Sequence, residues 1–95
     1  MGLPHQEEPA QTSAAAEAAN AAEDERRRLR RLQILMNMVM SVIAQDPQMT
    51  VEEAAEMVAN TRRAALAMFP GKELAFDLIY KPRLERVMRE RFRLQ

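Results

Sequence analysis

No cysteine occurs in this chain, histidine occurs once, and glycine and serine occur twice each. Without cysteine there are no disulfide staples and no thiolate metal sites, which fits a reducing compartment and gives the expectation of a cytoplasmic location. The single histidine, His5, sits in a segment that also holds Pro4 and Pro9. One histidine, two serines and two glycines do not assemble a nucleophile with its base or a glycine-rich phosphate loop, so no enzyme is expected. Long apolar runs are missing as well. The densest, Leu32 to Ala44, is 13 residues long and contains Gln33, Asn37 and Ser41, whereas a spanning helix needs about 20 apolar residues. No transmembrane segment is expected, and the acidic, proline-bearing start is the opposite of a signal peptide's basic head and apolar middle. The β-branched residues are scattered without alternation, which removes strands and leaves helices.

Charge is balanced in total but divided by region. Fourteen basic and 14 acidic residues cancel, yet residues 1–25 carry six acids and no base, and residues 26–31 carry five arginines. Residues 32–80 hold three bases against six acids, and residues 81–95 hold six bases against two acids. Such segregation inside a neutral chain points to particular surfaces rather than to general polyanion binding. Length adds a second constraint, because a chain this short buries only about 60% of its unfolded surface. Its stability is then marginal alone, and oligomerisation is a reasonable expectation.

Residues 1–12 offer Leu3 as the only large side chain beyond the start methionine, too little to offset the entropy of ordering, and are read as a disordered tail. From Thr12 or Ser13, either of which suits a helix cap, the alanine-rich run to Ala22 has high helix propensity and almost nothing to bury. Residues 13–28 are therefore a solvated helical extension of one long helix ending near residue 45, with Glu23–Arg27 and Asp24–Arg28 as acid-first pairs four apart. Residues 29–95 form the small helical domain. Winding residues 29–45 places Leu29, Leu32, Leu35, Met36, Val39, Met40, Val42 and Ile43 on an apolar arc of roughly 160°. Ile34 and Met38 fall outside it, adjacent to one another on the side shared with Arg30, Asn37 and Ser41.

Pro47 breaks the first helix, and Thr50-Val51-Glu52-Glu53 has the spacing of a capping box. The second helix it opens runs to about Phe69, burying Val51, Ala54, Val58, Thr61, Ala65, Met68 and Phe69, until Pro70-Gly71 ends it. A short helix from Lys72 to about Tyr80 presents Leu74, Phe76, Leu78, Ile79 and Tyr80. A last helix with Pro82 in its first turn buries Leu84, Val87, Met88 and Phe92, with Glu85–Arg89 as a further acid-first pair. The expected fold is all-α: a long N-terminal helix packed antiparallel on a second, closed by two short C-terminal helices.

Three groups of residues compete for a functional role. Ile34 and Met38, with Asn37 beside them, are candidates for self-association, since a single partner helix in the same chain cannot cover both them and the main arc. Arg26, Arg27, Arg28, Arg30 and Arg31, together with Arg86, Arg89 and Arg93, are candidates for contact with a polyanion or an acidic partner. The run 26–31 is also readable as a solvated helix face whose arginines pair with preceding acids and lay their stems on the core edge, or as a contact with an anionic membrane. Arg91 stands among Leu84, Val87 and Met88, and either snorkels or marks a frayed end, ahead of a buried ion pair. Glu52 and Glu56 share a face, which in the absence of a histidine neighbour reads as a dipole-favoured helix start rather than a metal site. The cluster of Met36, Met38 and Met40 reads as adaptable core filling ahead of a pliable partner groove. No cofactor and no small-molecule ligand is indicated. The expectation for function is a non-enzymatic protein-interaction or oligomerisation module, a homodimer in its simplest form. The alternative is a small nucleic-acid-associated regulator using Arg26–Arg31 and the basic last helix.

Overall fold

A computed structural model describes residues 9–93, with side chains from residue 13. Four helices follow one another: α1 (Pro9–Gln45), α2 (Val51–Met68), α3 (Glu73–Ile79) and α4 (Lys81–Phe92). The chain divides between Arg30 and Arg31, inside α1, into two units. In the first, every side chain from Ser13 to Arg30 is exposed except the half-buried Glu23, as an alanine-rich helix with no apolar stripe requires. Helix α1 starts at Pro9, inside the segment expected to be a disordered tail; proline lacks the amide that a first turn leaves orphaned and is preset for helix. The remainder of that expected tail lies outside the described residues. Leu29, expected on the buried arc, is exposed, and burial in α1 begins at Leu32.

The second unit holds the core. Leu32, Met36, Val39 and Ile43 of α1 are buried together with Ala54 and Ala65 of α2, Phe76 of α3 and Leu84 of α4. Helix α2 contributes small residues to this set, so that the bulk comes from its neighbours. Its buried Thr61 donates its hydroxyl to the Met57 carbonyl at 2.7 Å, which satisfies the one polar side chain buried among the described residues. Leu35 of α1 faces Met57, Thr61 and Ala64 across a groove, so α2 returns antiparallel along α1. Met36 and Asn37 lie near Tyr80 and Arg83, while Ala44 lies near Val87 and Arg91, so α4 runs in the direction of α1.

The turns follow from local chemistry. Asp46 accepts the Gln48 amide on its carboxylate at 2.9 Å, turning the chain ahead of α2. Thr50 then accepts the Glu53 amide at 3.1 Å while the Glu53 carboxylate accepts the Thr50 amide at 2.9 Å, completing the expected capping box. Gly71 takes φ +79° after α2, a left-handed conformation that side chains resist even where the space around it is open. Helices α3 and α4 meet at Tyr80, which remains in helical conformation with its amide on Phe76 and its carbonyl taking the Leu84 amide. Proline at position 82 supplies no amide to the carbonyl four residues earlier, so the two helices are joined by a kink rather than a loop.

Only one face of α3 reaches the core. Of the apolar residues this helix presents, Phe76 is buried and Tyr80 half-buried, whereas Leu74, Leu78 and Ile79 are 73%, 69% and 50% exposed. A helix of two turns placed on the rim of a bundle buries one stripe, and the two aromatics occupy it, their ring centroids 5.6 Å apart.

Replacing Thr50 with alanine removes one acceptor for an orphan amide, and is expected to lower stability by about 1 kcal/mol. The measurement is a urea midpoint; no shift would mean that α2 starts without help from this hydroxyl.

Candidate interaction surface

The residues proposed for self-association lie where helical winding puts them. Ile34 is 61% exposed and Met38 56%, one turn apart on the side of α1 turned away from Met36 and Ile43. Asn37, also exposed, lines a polar groove with Gln33, Tyr80 and Arg83, so it sits beside the apolar pair but toward α4. The Arg83 guanidinium stands 5.7 Å from the Tyr80 ring centroid, forming one wall of that groove. Nothing in sequence spacing connects Gln33 and Asn37 with Tyr80 and Arg83; only the return of the chain through α2 and α3 brings them together.

Arg26, Arg27, Arg28, Arg30 and Arg31 are all exposed. The ion pairs before them include two at a spacing of three where four was expected: Arg26 bonds Glu23 at 3.1 Å and Arg27 bonds Asp24 at 3.4 Å. Spacings of three and four are both neighbours on a helix, and side-chain rotamers select between them. The hydrogen bond and charge of Arg26 hold the Glu23 carboxyl below its ordinary range. On α4 the pair is Arg86–Glu90 at 3.3 Å, base first, rather than Glu85–Arg89. Arg86 and Arg89 share an exposed face. Arg93 leaves it, because it caps α4 in the left-handed region at φ 58° instead of continuing the helix.

Two arginines have structural partners that sequence did not disclose. Arg91 neither frays nor forms a buried ion pair: its guanidinium donates to the Asp46 carbonyl at 2.9 Å and stacks 4.9 Å from the Phe92 ring centroid. Helix α1 has no basic residue in its own last turn, and Arg91 supplies the cation that the carbonyl end of a helix favours. Arg62 forms a two-pronged bridge to Asp77, Nε to Oδ1 at 3.0 Å and an outer nitrogen to Oδ2 at 3.1 Å, linking α2 to α3. Sequence holds no signal for this pair, since the partners are fifteen positions apart on different helices.

Among the described residues no three histidine or carboxylate groups gather as metal ligands, and no helix is long and apolar enough to cross a membrane. Comparison with family models, curated proteins and solved structures gives no match for this chain.

The Asp77 carboxyl is held below the ordinary carboxylate range, first by its hydrogen bond from Arg62, which outweighs the opposing cost of burial, and then by the charges of Arg62 and Lys81. A carboxylate whose pKa falls on folding adds stability above its unfolded value and loses that contribution as the pH drops through its folded value. Asp77→Asn is therefore expected to lower the melting temperature at neutral pH, modestly because both partners are more than a third exposed. The difference from wild type is expected to close as the pH is taken below the ordinary carboxylate range. A gap of constant size across the titration would assign the loss to packing instead of charge.

Proposed function

We propose that this chain is a non-enzymatic interaction module of the cytoplasm that associates with itself through α1. The observation that carries this reading is the exposure of Ile34 and Met38, adjacent on a helix face that the second unit leaves bare. Single exposed apolar residues are ordinary on protein surfaces; two neighbours on a helix whose opposite side is already committed to the core are a surface that gains by being covered. The small core supports the same conclusion, since a 95-residue chain gains stability by burying more surface in an assembly. Asn37, beside the seam, is placed to restrict register at some cost in affinity. The exposed Leu74 and Leu78 of α3 offer a further apolar face of the same kind.

A second reading, contact with nucleic acid, is favoured by one observation: Arg30, Arg31, Arg86 and Arg89 are exposed, without the aromatic platform that single strands use. Salt separates the two. Phosphate contacts release counterions and weaken steeply as salt rises, whereas apolar association does not.

Sedimentation of the wild-type chain at micromolar concentration is expected to show a homodimer. Ile34→Glu combined with Met38→Glu is expected to yield a monomer with unchanged helicity, and a wild-type chain that stays monomeric would sink the proposal. For the second reading, binding of a short duplex at low salt that falls steeply as the salt is raised is the outcome that would favour it.

A further inference from the structure

Helix α1 carries two stripes of heptad spacing. Leu32, Met36, Val39 and Ile43 recur at intervals of four, three and four and are all buried. On the opposite side Arg31, Ile34, Met38, Ser41 and Gln45 recur at three, four, three and four, and all five are exposed. Every helix face recurs at this spacing; what distinguishes the outer stripe is an apolar middle, Ile34 and Met38, between the polar Arg31, Ser41 and Gln45. Its two ends differ in charge. The arginine run lies at the N-terminal end, and the C-terminal end is neutral.

We propose that two copies of this chain pair antiparallel along this outer stripe, the arginine end of each laid against the acidic start of the other's α2. This rests on the self-association described above and adds its orientation and a role for the basic run. In a parallel pairing Arg31 would stand beside its own copy and the run 26–31 beside the same run, a like-charge juxtaposition that disfavours the complex. Antiparallel pairing about the point midway between Ile34 and Met38 sets Ile34 of one copy on Met38 of the other, twice over, as a two-fold axis requires. It sets Arg31 beside Ser41.

The start of α2 supplies the opposite charge. Helix α2 returns antiparallel along α1, so its first turns flank the C-terminal half of the outer stripe, with Glu53 and Glu56 bordering the groove beside Leu35. From residue 32 to residue 61 the chain has four acids, Asp46, Glu52, Glu53 and Glu56, and no base. Arg31 is exposed and has no ion pair among the described residues, so it is available to this acidic flank. On its α2 flank the C-terminal half of the stripe is thus acidic, while α4 brings Arg91 and Arg93 near Ala44 on the other flank, and head-to-tail pairing is the arrangement that keeps Arg31 from its own copy and offers it that acidic flank.

The absence of cysteine makes orientation directly measurable. Ser41→Cys and Arg31→Cys are prepared as separate full-length chains and oxidised alone and mixed, at a concentration where the wild type sediments as a dimer. In the antiparallel pair the two copies of residue 41 stand about 15 Å apart along the axis, beyond disulfide reach, and so do the two copies of residue 31. The expected result is cross-linking in the mixture and little in either variant alone. Ser41→Cys cross-linking with itself would overturn the orientation while leaving self-association intact, and a wild-type monomer would remove both. Charge is tested separately. Arg31→Glu and Glu56→Arg are each expected to weaken the dimer about fivefold, and the chain carrying both substitutions to recover it. Unchanged thermal midpoints of these surface variants confirm the fold, and a dimer indifferent to both reversals would overturn the assigned role of the arginines.

Discussion

Met36, Ile43 and Leu84 are the largest side chains that lose essentially all contact with water, and they come from the first and last helices. Burying them requires α1 and α4 to lie side by side, although α2 and α3 separate them in sequence. The small residues of α2 make this possible, since Ala54 and Ala65 let neighbouring side chains interlock over a helix that fills little space itself. Enlarging either alanine would push a neighbour from its rotamer and loosen the unit. The remaining contacts, including the half-buried Val87, Met88 and Phe92, attach to that arrangement.

Much of the architecture was legible because its causes are local. The stripe from Leu32 to Ile43 follows from the helical repeat, the start of α2 from Thr50 and Glu53, and its end from Pro70 and Gly71. The exposure of Ile34 and Met38 was legible by the same geometry. The face of α3 was not, for Leu74, Leu78 and Ile79 are as apolar as Phe76, and which stripe is covered depends on where α2 and α4 stand. Nor were the Arg62–Asp77 bridge, the Arg91–Asp46 contact and the groove of Gln33, Asn37, Tyr80 and Arg83. Each joins residues whose approach is decided by the packed helices. Local spacing could say that Arg91 was out of place on an apolar stripe, but not which oxygen would receive it.

The arginines show why composition alone overstates a basic surface. Of the twelve, Arg26, Arg27, Arg62, Arg86 and Arg91 are engaged with acids or a carbonyl within the chain. Exposed pairs of this kind contribute little to stability and mainly set where side chains rest. Arg28 is engaged as well, Arg63 bonds the Asn60 side chain and Arg83 stands over the Tyr80 ring, so what remains for a partner is narrower than a count of bases suggests.

The Arg91–Asp46 hydrogen bond has a kinetic meaning apart from its modest strength. It closes 45 residues of chain, against fifteen for the Arg62–Asp77 bridge, and so carries the larger loop-closure entropy of the two. Helix pairs joined by short turns assemble from nearby contacts on fast timescales, whereas this link forms only after α4 has swung back to α1. It thus acts as a latch. Fraying of the C-terminal end of α1 or of the last turn of α4 breaks this contact, so the opening of either end is coupled to the other by about the strength of one hydrogen bond.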